Sequence, residues 1–173
     1  MAAVVRRRRD GSFVLRLPEE TIELLAALGA QLDPLLDDQS ADAGLRRLFP
    51  PAHEDDVLAE AAWQIEQGEA LRDSRRGALA ALAHPADKPM DEDELVTWMQ
   101  GVNALRLVLG ERIGLGREVD EEEEMVALEA ALVDADDPEE VATLERRLGA
   151  RQLYDLLSAL VAHAVRALES AER

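Results

Sequence analysis

Cysteine is missing from this chain altogether. Without a thiol there is no disulfide framework, no thiolate zinc site and no thiol redox switch. Aromatic residues make up only 3% of the sequence, so a core must be built from Leu, Val and Ala. Ala and Leu head the helix scale and β-branched residues are few, which predicts helices. Lysine occurs once, at Lys88, while every other basic residue is Arg. A GC-rich genome or a salt-loving host would each leave that mark. No apolar run approaches the roughly 20 residues that cross a bilayer. The early arginine run is followed by Asp10 and Gly11 rather than an apolar segment, so no signal peptide is expected. These absences point to a cytoplasmic protein.

What is present suits one folded domain. The chain has 173 residues, 47% apolar and 32% charged, enough to bury a core without metals or disulfides. Its formal net charge is −18. Such a surface repels nucleic-acid phosphates and anionic lipid. Neither direct nucleic-acid binding nor a membrane is expected. A basic protein surface would be attracted, and the same charge also serves as a solubilising shell.

The patterning predicts a mainly α, multi-helix single domain with an amino-terminal β-hairpin over about 3–17. Asp10-Gly11 is a strong hairpin turn signal, and Phe13, Leu15 and Leu17 alternate with polar or smaller residues. A two-residue turn would pair Arg8 with Phe13 and Arg6 with Leu15; a longer turn would flip that register. About six helices should follow. Pro18 opens the first, with Ile22, Leu25, Leu28, Leu32 and Leu35 at helical spacing. A short helix over 41–48 ends before Pro50-Pro51. The next carries Val57, Leu58, Ala61 and Ile65, with a bend or break near Gly68. Residues 91–114 form the central helix, with Asp91 and Glu94 as a capping box and Leu95, Trp98, Val102, Leu105, Leu109 and Ile113 as its stripe. Residues 118–138 read as an acidic helical insertion. From Glu118 to Glu145 there are thirteen acidic residues and no basic one. A last helix over about 139–172 carries Leu144, Leu148, Leu153, Leu157 and Leu160, with Gly149 a point where it could divide. Stripes this long leave room for a homodimer.

Two segments stand out from the Ala/Leu/Glu background. They are LRRLFPPAHEDD, Leu45 to Asp56, and WMQGVNALRLVLGERIGL, Trp98 to Leu115. Together they resemble an actinobacterial family of unknown function that includes the AosR-like oxidative-stress transcriptional regulators. The resemblance is good over Arg47–Asp56 and Asn103–Leu115, looser over the hairpin and last helix, and does not extend over the acidic stretch after Arg117. It implies transcriptional control under oxidative stress through a protein partner such as a sigma factor or RNA polymerase. Lacking cysteine, this chain would have to act without a thiol switch. The family's usual place beside the Clp-protease adaptor implies an alternative, an accessory factor of Clp-type proteolysis. A structural or interaction protein of another kind is the bland reading.

Arg106 sits in the most apolar part of the central helix, where a buried guanidinium needs a carboxylate. Asp55 and Asp56 are its expected partners, and Asn103 lies one turn earlier on the same side. That cluster reads either as a small polar pocket or as an ion pair pinning a proline-stiffened loop. The second is favoured, because isolated polar residues within helices are more often satisfied than catalytic. Arg47 and Phe49, next to Pro50-Pro51, suit a protein contact, with Phe49 also suited to anchor its loop in the core. The run Arg6–Arg9 reads as an edge strand protected against aggregation, or as a partner for the acidic 118–124 segment. His53, His84 and His163 lack metal-ligand spacing. No phosphate-binding glycine loop, nucleophile elbow or zinc-protease motif occurs, so neither an enzyme nor a cofactor or metal is expected.

Overall fold

A computed structural model describes residues 4–38, 42–53, 55–114 and 121–170. The chain begins with an antiparallel pair, β1 (Val5–Arg7) and β2 (Phe13–Leu15). The register pairs Val5 with Leu15, Arg6 with Val14 and Arg7 with Phe13. This corrects the expected Arg8–Phe13 pairing. The loop is three residues long, because the Gly11 N–H donates to the Arg8 carbonyl at 3.1 Å and Gly11 alone takes a positive φ, +87°. A type I turn closed by a left-handed glycine adds one residue to the turn and shifts every partner by one. Val5, Phe13 and Leu15 thereby face the core, while Arg6 lies opposite Val14. The far edge of β2 is covered, since Phe13 and Met90 exchange backbone hydrogen bonds of 2.8 and 2.9 Å.

Five α-helices follow among the described residues, with short 3-10 turns between some of them. Helix α1 (Glu19–Leu32) runs on into a 3-10 turn at Asp33–Asp37, where Pro34 removes a helical donor. The short helix expected at 41–48 is a 3-10 turn, Ala43–Arg47. Helix α2 (Val57–Ala80) is continuous through Gly68, so the chain does not break into two helices there. Helix α3 (Glu92–Arg112) starts with the capping box read from sequence. The Asp91 carboxylate accepts the Glu94 N–H at 2.8 Å, and Glu94 accepts the Asp91 N–H at 2.9 Å. Helix α4 (Glu121–Asp134) lies against α5 (Pro138–Glu169), which Gly149 does not divide.

The core is one cluster with α3 at its middle. Leu95, Trp98, Val102, Leu105 and Val108 pack with Phe13, Leu15, Leu25, Leu36, Leu45, Leu82, Leu157 and Leu160. Helix α3 touches α1, α2 and α5 and the 3-10 turn at Ala43–Arg47. Its approach to α2 is set by Gly101. A Cβ there would lie 2.2 Å from the Ala78 carbonyl oxygen, closer than any side chain can be accommodated. Only glycine lets the two backbones meet at that point.

Candidate functional site

The two unusual segments do meet, but not through the residues expected. The 3-10 turn Ala43–Arg47 docks on the carboxyl half of α3 through a pair of crossed ion pairs. Arg47 Nε donates to Glu111 Oε2 at 2.9 Å. In the opposite sense, Arg112 of α3 donates to Asp42 Oδ2 from Nη2 at 2.6 Å and from Nε at 2.9 Å. Asp42 also caps the turn by accepting the Gly44 N–H at 2.7 Å. The Arg112 hydrogen bond, then the Gly44 N–H, hold the Asp42 carboxyl below its usual range. That keeps it an anion and an anchor, not an acid. Phe49 is buried in the core beside Leu45 and Leu48.

The expected pairing of Arg106 with Asp55 or Asp56 is not formed among the described residues. Asp56 is engaged elsewhere, because its Oδ1 caps α2 by accepting the Leu58 and Ala59 N–H groups at 3.1 and 3.0 Å. Asp55 is exposed. The loop before α2 is held by Glu60 instead. Its Oε2 accepts the Ala52 and His53 N–H groups at 2.8 and 2.9 Å, and its Oε1 takes the Gln64 amide at 2.7 Å. Arg106 and Asn103 are half-buried on α3, and Arg106 Nε is buried without a hydrogen-bond partner. The six residues read from sequence thus divide four ways. Arg47 clamps, Phe49 fills the core, and Asp56 caps a helix, while Asp55, Asn103 and Arg106 join no shared cluster. Asp42, Glu111 and Arg112, which do build the contact, were passed over. Their signal is weak in sequence, since an exposed Asp ahead of a short turn and a Glu-Arg pair near a helix end are both ordinary.

Along the first half of α2 the structure departs most from expectation. Val57, Leu58 and Ile65 are 83%, 84% and 84% exposed. Ala61 and Ala62 are exposed between them, and Trp63 is half-buried. Positions 57, 61 and 65 repeat at one helical turn, so these side chains form a single apolar face. The stripe that sequence periodicity assigns to a core faces solvent. Its flanks carry Glu60, Glu66 and Glu69 and no basic residue before Arg72. Among the described residues no group of three His, Asp or Glu is placed to hold a metal, and no helix is long and apolar enough to cross a membrane.

Fold and surface define a mainly helical domain with a two-stranded amino-terminal hairpin and an exposed apolar face on the first half of α2. The chain belongs to the family described as a domain of unknown function, DUF2017, whose model matches residues 1–168. The match includes the acidic stretch after Arg117, which the two unusual segments alone did not reach. No curated protein and no solved structure matches the chain.

Proposed function

We propose that this chain is a regulatory protein-interaction domain that captures a protein partner on the exposed face of α2. The observation that carries the reading is the row Val57, Leu58 and Ile65, each more than four-fifths exposed, beside a core cluster that takes up the stripes of α1, α3 and α5. Isolated exposed apolar residues need no explanation, whereas a contiguous helical face is a common recognition element. The acidic flank favours a partner with an apolar groove and a basic rim. A net charge of −18 opposes direct DNA binding, whose affinity is dominated by phosphate contacts. The resemblance to AosR-like regulators supports a sigma factor or RNA polymerase as the partner, with any stress response running without a thiol.

The test is an affinity pull-down from the native host, with and without peroxide, using the wild-type chain and a Leu58→Glu/Ile65→Glu variant. Polymerase or sigma subunits retained by the wild type and lost by the variant would support this reading. Recovery of the Clp protease or its adaptor would replace it with the proteolytic role. Identical recoveries from both chains would remove α2 from the account. Tight DNA binding by the isolated protein in moderate salt would overturn it altogether.

A further inference from the structure

We propose that an arginine-lined cleft at the carboxyl end of α3 binds a small organic phosphate. The cleft lies between α3, α4 and α5 and encloses about 410 Å³, within the range of small-molecule sites. Four arginines line it, Arg112, Arg146, Arg147 and Arg151, with Glu124 as the sole carboxylate on its described walls. Ile113, Leu128 and Ala150 supply apolar surface for the rest of a ligand.

Among the described residues the four arginines meet three carboxylates, a small positive excess in a molecule of net charge −18. Arg112 is matched by Asp42, and Arg151 faces Asp155 Oδ1 at 3.5 Å. Glu124 is shared, with Oε1 3.4 Å from Arg147 Nη2 and Oε2 3.8 Å from Arg151 Nη1. At 3.4 Å the Arg147 contact is longer than a well-formed charge-assisted hydrogen bond, whereas Arg151 is partnered. Arg146 meets no carboxylate among the described residues. Its Nε donates to the Ala142 carbonyl at 3.0 Å and its Nη2 to Thr143 Oγ1 at 3.0 Å, which fixes the group at the cleft wall. Guanidinium groups held side by side repel one another unless an anion lies between them. Glu124 partly fills that role and marks where an anion sits. A phosphate, with more charge and more acceptor oxygens than one carboxylate, matches several planar donor forks better.

The probe is inorganic pyrophosphate, titrated into the full chain in about 0.15 M salt, the ionic strength at which unspecific surface attraction is screened. Amide chemical shifts should move saturably at Thr143–Arg151 and at Arg112–Ile113. Arg146→Gln and Arg147→Gln should each raise the Kd about tenfold, the loss of one charge-assisted contact. Glu124→Gln, which removes the internal competitor, should lower it. Arg146 and Arg147 are exposed, so unchanged thermal melting of those variants would separate lost binding from lost folding. Unsaturable shifts, shifts at the hairpin arginines alone, or an unchanged Kd in the Arg146 and Arg147 variants would overturn the site. Citrate binding as tightly as pyrophosphate would overturn the phosphate assignment.

Discussion

The two halves of α2 share one unbroken helix and serve opposite ends. Toward its carboxyl terminus Ala78 and Leu79 are buried, and the backbone there meets α3 at Gly101 and α1 near Gly29. Toward its amino terminus Val57, Leu58 and Ile65 are left exposed. Apolar residues occur along both halves, so their presence alone does not say what a face is for. The difference comes from small residues. Where Gly101 and Gly29 allow backbones to close, α2 enters the core; toward its start Val57, Leu58 and Ile65 stay exposed. Stability is therefore expected to reside in one half and recognition in the other, and substitutions along the helix can separate the two.

Gly101→Ala should have the largest effect. The added methyl would meet the Ala78 carbonyl oxygen at 2.2 Å, and a backbone atom has no rotamer by which to retreat. Helices α2 and α3 would have to part, at a cost of about 1–3 kcal/mol or more. Urea unfolding should show a lower midpoint at an unchanged slope. A melting curve identical to wild type would mean that the crossing is looser than these distances imply.

Asp56→Ala acts on the other half. It removes the acceptor for the Leu58 and Ala59 N–H groups, a change worth about 1 kcal/mol at a helix start. Because the amino half of α2 packs on little, the loss should appear as local opening. Hydrogen exchange should accelerate at the first turns of α2 while the amides of α3 keep their protection. Uniform acceleration across the molecule would show that the two halves are energetically one.

This contrast also marks how far the sequence was legible. Fold class, the α3 boundaries and the capping box were readable, since each follows from local spacing and side-chain chemistry. The continuous α2 was obscured by Gly68, whose helix-weakening tendency says nothing of whether the flanking turns persist. Hairpin register turned on one residue of loop length that Asp10-Gly11 leaves undetermined. Arg106 misled for a different reason. A buried charge demands a partner in general, yet here the nearby Asp56 was already spent on a helix start. The crossed pairs Arg47–Glu111 and Asp42–Arg112 depend on how a 3-10 turn lands on a helix, across separations of 64 and 70 residues, and no local pattern encodes that.

Acid should release the second of those pairs. The Asp42 carboxyl titrates below its ordinary range in the folded protein, chiefly because of the Arg112 hydrogen bond and then the Gly44 N–H. A depressed folded value means that its stabilisation is complete above the ordinary aspartate range. The contribution is lost as pH falls through the lowered value. Asp42→Asn should therefore lower stability at neutral pH and flatten the acid limb of the stability profile. Parallel acid limbs for wild type and variant would show that the clamp contributes nothing to folding.

The smallest expected effect is the most pointed test of the comparison. Ile65→Ala deletes a large apolar side chain from the middle of a helix, and the same deletion at Leu79 should cost about 2–5 kcal/mol. Ile65, however, is 84% exposed whereas Leu79 is 3% exposed. With almost no buried area to lose, the change should fall within about 0.5 kcal/mol of wild type. Its sign should even be stabilising, because Ala is the better helix former and has no branched side chain to restrict. Thermal melts of the two variants side by side decide the matter. A loss at Ile65 approaching that at Leu79 would mean that this face is already covered in solution, by a second copy of the chain, and a melting temperature that rose with protein concentration would identify that copy.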